Sequence, residues 1–336
     1  PRTRAHTRQA MAAYRRTATV PDAHEDSIWA VAWLPGGGLL TGGADEQIKL
    51  WTGVERALAD GGPVGKPLTP EPHLGVTAVS ASADGAVAAS TSLEGRVGLW
   101  DIADGGVSLR TLEPGVGECW GVALHPAATV VVSGSQRGMA HAWAVATGDR
   151  VEAYDTQASA CVVATAFAPD GARVACSTLA GAAVVFDAAT AQPVLRAPLS
   201  AAAARAVAFS ADGAHLVVGA DDAYAHILDL RAEKPVGTLE GHPSAVLSAA
   251  VANGPGPAGG PGLIATGCAD GGVRLYDLRA GARDCVQRIA EAHADQCWGV
   301  AFDRDGLKLV SAGADRAVHV YSPRAADGEA APAAAG

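Results

Sequence analysis

His24 stands 21 residues ahead of Asp45, and His293 stands 22 ahead of Asp315. An aromatic residue, Trp51 or Tyr321, follows each aspartate by six. His242, Asp270 and Tyr276 repeat the order with an insertion between the first two. A carboxylate that orients an imidazole makes a general base, so each pair has the composition of a catalytic dyad. An active site needs one dyad. Three copies in one chain point instead to a structural device used once per repeat.

The repeat itself is legible. An aromatic residue or leucine closes a short apolar run at Trp51, Trp100, Trp143, Phe186, Leu228, Tyr276 and Tyr321, at intervals of 49, 43, 43, 42, 48 and 45 residues. This period predicts an all-β fold, a seven-bladed propeller of four-stranded antiparallel blades forming one closed domain over residues 14–322. The first strands are expected at 28–33, 76–81, 119–124, 162–167, 204–209, 246–251 and 297–302, each with the period-two alternation of a strand. Tyr14–Val20 precedes the first repeat and should supply the outer strand of the last blade, leaving no long open edge. The proline-glycine run 253–262 reads as a loop insertion, and residues 1–13 and 323–336 read as disordered basic and alanine-rich tails.

Composition bounds the function. A net charge of −10 lacks the footprint of a nucleic-acid-binding domain, so no direct nucleic-acid binding is expected. Six cysteines, scattered over separate repeats without a CxxC pair, fit a reducing nuclear or cytosolic compartment. No apolar run approaches membrane-spanning length, and no membrane partner is expected. The arginine-rich start, with Arg2, Arg4, Arg8, Arg15 and Arg16, admits a transit peptide, but a plain tail is the simpler reading. There is no G-x-x-x-x-G-K loop and no H-E-x-x-H, and Ser133-Gly134-Ser135 lacks the pattern of a nucleophile elbow. We expect no enzyme, cofactor, metal or small-molecule substrate.

The order His, strand, Asp, Trp-Asp resembles the WD-repeat family, with the dipeptide intact at Trp100-Asp101 and relaxed at Phe186-Asp187, Leu228-Asp229 and Tyr276-Asp277. Within it, the wording at residues 23–33, 73–76, 92–101 and 295–300 resembles the WD-repeat subunits shared by the superkiller (SKI) and RNA polymerase II-associated factor (PAF) complexes. That resemblance implies a non-catalytic scaffold. Its partners would be a tetratricopeptide scaffold and a helicase of exosome-linked mRNA decay in the cytoplasm, and PAF subunits acting in elongation and histone modification in the nucleus.

The resemblance also assigns roles to residues. The pairs His24–Asp45, His242–Asp270 and His293–Asp315 become staples within blades. Arg137 and Ala180 occupy the aspartate position in repeats three and four, and His73 is one residue out of step, so blades three and four should be softer. The second residue of each first strand faces the channel mouth in such propellers. Here that ring is Trp29, Thr77, Trp120, Val163, Arg205, Leu247 and Trp298, with no acid or histidine among them. Tryptophan and arginine dominate binding hot spots, so this ring is the expected partner site. An alternative is a substrate receptor of a cullin-four ligase, docking through Arg231 and Arg279, which follow the anchors of blades five and six.

Overall fold

The computed structural model describes residues 13–54, 65–68, 74–113, 119–254, 262–278 and 285–324. The tails at 1–12 and 325–336, His73, Arg279 and the insertion at 255–261 lie outside the described residues. The described chain forms seven four-stranded antiparallel sheets and no helix long and apolar enough to cross a membrane.

From channel to rim, blade one comprises Ile28–Leu34, Gly38–Gly43, Ile48–Trp51 and Gly65–Pro67. Blades two to six follow in chain order, with inner strands Val76–Ala81, Val122–Leu124, Val162–Phe167, Ala204–Phe209 and Val246–Val251. Blade seven takes Cys297–Phe302, Leu309–Gly313 and Val318–Pro323 from the end of the chain and Tyr14–Val20 from its start. The closing pair runs from Tyr14 opposite Pro323 to Val20 opposite Val318. The Tyr14 hydroxyl donates to the Gly306 carbonyl at 2.8 Å, and the Ala23 amide to the Arg316 carbonyl at 2.8 Å, so both ends of the seam are pinned.

Each of seven apolar clusters fills the gap between two neighbouring blades, and none is confined to one blade. A blade therefore has a core only when both neighbours are present, which is why the repeats behave as one domain. Six of the anchors, Trp51, Trp100, Phe186, Leu228, Tyr276 and Tyr321, are buried in these gaps. Trp143 is half-buried.

The inner strand of blade three starts at Val122 rather than Cys119. The Cys119 carbonyl accepts the Thr77 hydroxyl of blade two at 2.6 Å instead of joining a ladder.

Candidate functional site

Six inner strands carry the same irregularity. Their pairing slips between the first and third residues, at Ile28/Ala30, Val76/Ala78, Val162/Ala164, Ala204/Ala206, Val246/Ser248 and Cys297/Gly299. The residue skipped in each is Trp29, Thr77, Val163, Arg205, Leu247 or Trp298. A bulge leaves one residue out of the ladder and re-aims its side chain. Repeated around the ring, it turns these six side chains toward one end of the channel, and Trp120 joins them from just before its strand. All seven line one cavity of about 470 Å³.

The members of this ring differ in how they are held. Trp29 and Trp120 meet across blade two with ring centroids 6.3 Å apart and planes tilted by 39°. Trp29 also lies over Gly75, whose φ of +63° and missing Cβ leave the space, since a Cβ there would stand 2.7 Å from the indole. Trp298 is half-buried and has no ring partner among the described residues. Thr77 is 7% exposed, and its hydroxyl is bonded to Thr91 at 3.0 Å as well as to the Cys119 carbonyl. Arg205 is gripped by Asp221, with Nε at 3.0 Å from Oδ1 and Nη2 at 2.8 Å from Oδ2. The mouth is thus an apolar arc beside a neutralised arginine. Sequence reasoning named Arg205 but missed Asp221. The signal was an aspartate directly after the second strand of the same blade.

The histidine pairs form a separate system inside the blades. In blade one, His24 Nδ1 lies 2.8 Å from Asp45 Oδ1, and its Nε2 lies 2.6 Å from Thr41 Oγ1. Trp51 Nε1 donates to the same hydroxyl at 2.9 Å. In blade seven, His293 spans Asp315 at 2.8 Å and Ser311 at 2.7 Å, with the Tyr321 hydroxyl 3.1 Å from Ser311. Hydroxyl, imidazole and carboxylate stand in the order and spacing of a hydrolytic triad. However, Thr41 and Ser311 are fully buried, and each hydroxyl is already bonded to the anchor. No substrate can reach them in the fold, so the arrangement fixes the blade.

Burial pushes the Asp45 carboxyl up, but the His24 bond and the Glu25 and Gln47 amides outweigh it and hold it below the usual range. Asp315 follows the same balance and falls to about 2.

Residues 15–52, 66–101, 233–277 and 283–322 match the WD domain, G-beta repeat, family. These four segments, a little under half of the chain, resemble WD repeats. WD repeat-containing protein VIP3 of Arabidopsis thaliana is 31% identical over 188 residues, which cover 50% of this chain and 56% of VIP3. WD repeat-containing protein SL1-17 of Schistosoma mansoni is 27% identical over 216 residues, 62% of this chain and 68% of that protein. A guanine nucleotide-binding protein subunit beta of Arabidopsis thaliana is 25% identical over 231 residues, 65% and 59% of the two chains. The chain spans little more than half the length of VIP3.

One staple expected from the repeat pattern does not form. In blade six Asp270 binds Arg274, with Nη1 to Oδ1 at 3.1 Å and Nη2 to Oδ2 at 2.6 Å, not His242. A bidentate guanidinium outcompetes a single imidazole bond. The buried Arg274 side chain, four residues after Asp270, leaves the carboxylate no other choice. His242 keeps Thr266 at 2.9 Å and the Tyr276 hydroxyl at 3.1 Å on Nε2, while its buried Nδ1 has no hydrogen bond. Burial and the Arg274 charge hold its pKa down to about 4, against the weaker pull of Asp270 and of the Ala223 backbone, which stays outside hydrogen-bonding geometry. Arg231 is exposed in a turn that Asp229 caps.

Proposed function

We propose that this WD propeller is a non-catalytic scaffold that holds partner proteins at the channel mouth bearing Trp29, Trp120 and Trp298. The observation that carries the reading is the set of bulges, which spend ladder pairing in six blades to present side chains at one opening. Indoles left half-buried at a concave site are the usual anchors of a protein interface. The finer reading is a subunit of SKI-type and PAF-type complexes, working in cytoplasmic mRNA decay and in nuclear elongation and histone modification. The resemblance at residues 23–33, 73–76, 92–101 and 295–300 supports it, and the likeness to VIP3 agrees with a WD-repeat scaffold.

Affinity purification of the wild type beside a Trp29→Ala/Trp120→Ala/Trp298→Ala variant tests both levels, once the two are shown to melt alike. The expected outcome is recovery of a helicase and a tetratricopeptide protein, or of PAF subunits, with the wild type and their loss with the variant. Partners that persist on the variant would refute the mouth as the binding surface. Recovery of a cullin-four adaptor that depends on Arg231 would replace the finer reading with that of a ligase receptor.

A further inference from the structure

The two satisfied staples differ in one neighbour. Two residues ahead of each anchor, the third strands carry Lys49, Gly98, His141, Val184, His226, Arg274 and His319. In blade one, Lys49 reaches away to the Ala23 carbonyl at 2.9 Å. In blade seven, His319 lies against the staple, its ring 4.6 Å from that of His293. One donor atom from each of His293, Asp315 and His319 falls within 4.8 Å of the others, the one such grouping among the described residues.

We propose that His293, Asp315 and His319 form a binding site for a divalent transition-metal ion of the zinc class. Two imidazoles and a carboxylate, with water in the fourth position, are an ordinary open set for zinc, and such ligands sit about 3.4 Å apart on the ion. Rotation of the Asp315 side chain, the most exposed of the three at 15%, closes the set.

The outer shell is in place. Thr19 Oγ1 bonds His319 Nδ1 at 3.0 Å, which leaves Nε2 for the metal. Ser311 Oγ bonds His293 Nε2, which leaves Nδ1. Hydroxyls on the far nitrogens fix ring orientation, as hydrogen-bond partners of metal-bound imidazoles do. When the metal takes Nδ1 of His293, the ring proton shared with Asp315 moves to Nε2, and Ser311 changes from donor to acceptor. The sequence led us to expect no metal, because the channel ring holds neither acid nor histidine and there is no H-E-x-x-H motif. The third ligand comes from the strand after the turn.

Zinc titrated calorimetrically into the metal-free full chain tests the site. The expected result is one equivalent bound by the wild type. His319→Lys, which installs the residue blade one carries, should weaken binding by more than the roughly 10–100-fold typical of a lost outer-shell partner. Lys49→His should add a second equivalent at His24 and Asp45. If His319→Lys melts below the wild type without metal, His319→Gln takes its place. Cobalt in place of zinc should give ligand-field bands without thiolate charge transfer. Equal affinity in the His319 variant, no binding by the wild type, or a thiolate band from the free cysteines would overturn the proposal.

Discussion

In blade one the anchor Trp51 donates to Thr41, and Thr41, His24 and Asp45 continue the hydrogen-bonded series; blade seven repeats it with Tyr321, Ser311, His293 and Asp315. In blade three the matching strand positions hold Trp143 and Ser133, each with a buried polar atom that makes no hydrogen bond. His141 Nδ1 in the same blade, and Thr165 and Ser177 in blade four, are also unpaired. Five of the seven such atoms among the described residues fall in these two blades, with Ser92 and His242 the others. An unmet buried group costs about 1–3 kcal/mol, so identical folds differ in local stability by what sits in one loop and one turn. Arg137 stands in the turn of blade three where Asp45 stands in blade one. Without carboxylate and imidazole, serine and tryptophan have nothing to join. The channel mouth straddles this divide. Trp29 and Trp298 stand on the stapled blades, and Trp120 and Val163 on the unstapled ones.

The largest effect that sharpens the contrast is expected from His24→Ala. It takes the imidazole from a carboxylate whose side chain is 4% exposed, leaving only the Glu25 and Gln47 amides, and should lower stability by about 3 kcal/mol in chemical denaturation. A loss below 1 kcal/mol would mean that the stapled blades are not specially fixed.

Acid should find the intermediate case, blade six, next. His242 has a folded pKa of about 4 against roughly 6.5 in an unfolded chain, so on acidification the unfolded state takes the proton first. Its contribution is complete above pH 6.5 and is lost as pH falls toward 4, by on the order of 2–3 kcal/mol. The facing charges, Arg274 and Asp270, stay paired through that window because the Arg274 bond holds the Asp270 carboxyl far below its usual range. A His242→Gln protein should therefore lose less stability than the wild type between pH 7 and 4.5. Parallel losses in the two proteins would contradict this.

A paired substitution isolates the hydrogen bond itself. Trp51→Phe and Trp143→Phe remove the same atoms, but only the first breaks a bond, to Thr41 at 2.9 Å. Trp51→Phe should cost about 1 kcal/mol more than Trp143→Phe. Equal costs would erase the distinction between the blades. The smallest effect belongs to Asp221→Asn. The Arg205 pair is 38% and 30% exposed, and its loss should change stability by less than about 1 kcal/mol.

Much of this was legible in the chain. The anchor spacing gave the blade number, and Tyr14–Val20 read correctly as the closing strand because it precedes the first repeat and a closed ring leaves no long open edge. The ring at the mouth was named residue by residue, and all seven positions line one cavity. What escaped was local competition. Nothing in the spacing of His242 and Asp270 shows that Arg274, two residues ahead of its anchor, takes the carboxylate. Nor does the order of residues show that Asp221 neutralises Arg205 or that His319 folds against His293. Such choices are settled by which of several polar groups reaches first. A repeat pattern, which averages over blades, hides them.

A binding role for the channel mouth rests on its indoles. The most direct test is the affinity of a Trp298→Ala protein for a partner recovered with the wild type, at matched melting temperature. Trp298 stands on a stapled blade without a ring partner, so its removal should leave the fold intact and weaken binding about 30-fold, the size of a hot spot worth about 2 kcal/mol. Unchanged affinity would show that the indole only fills the channel, and that partners dock on another face.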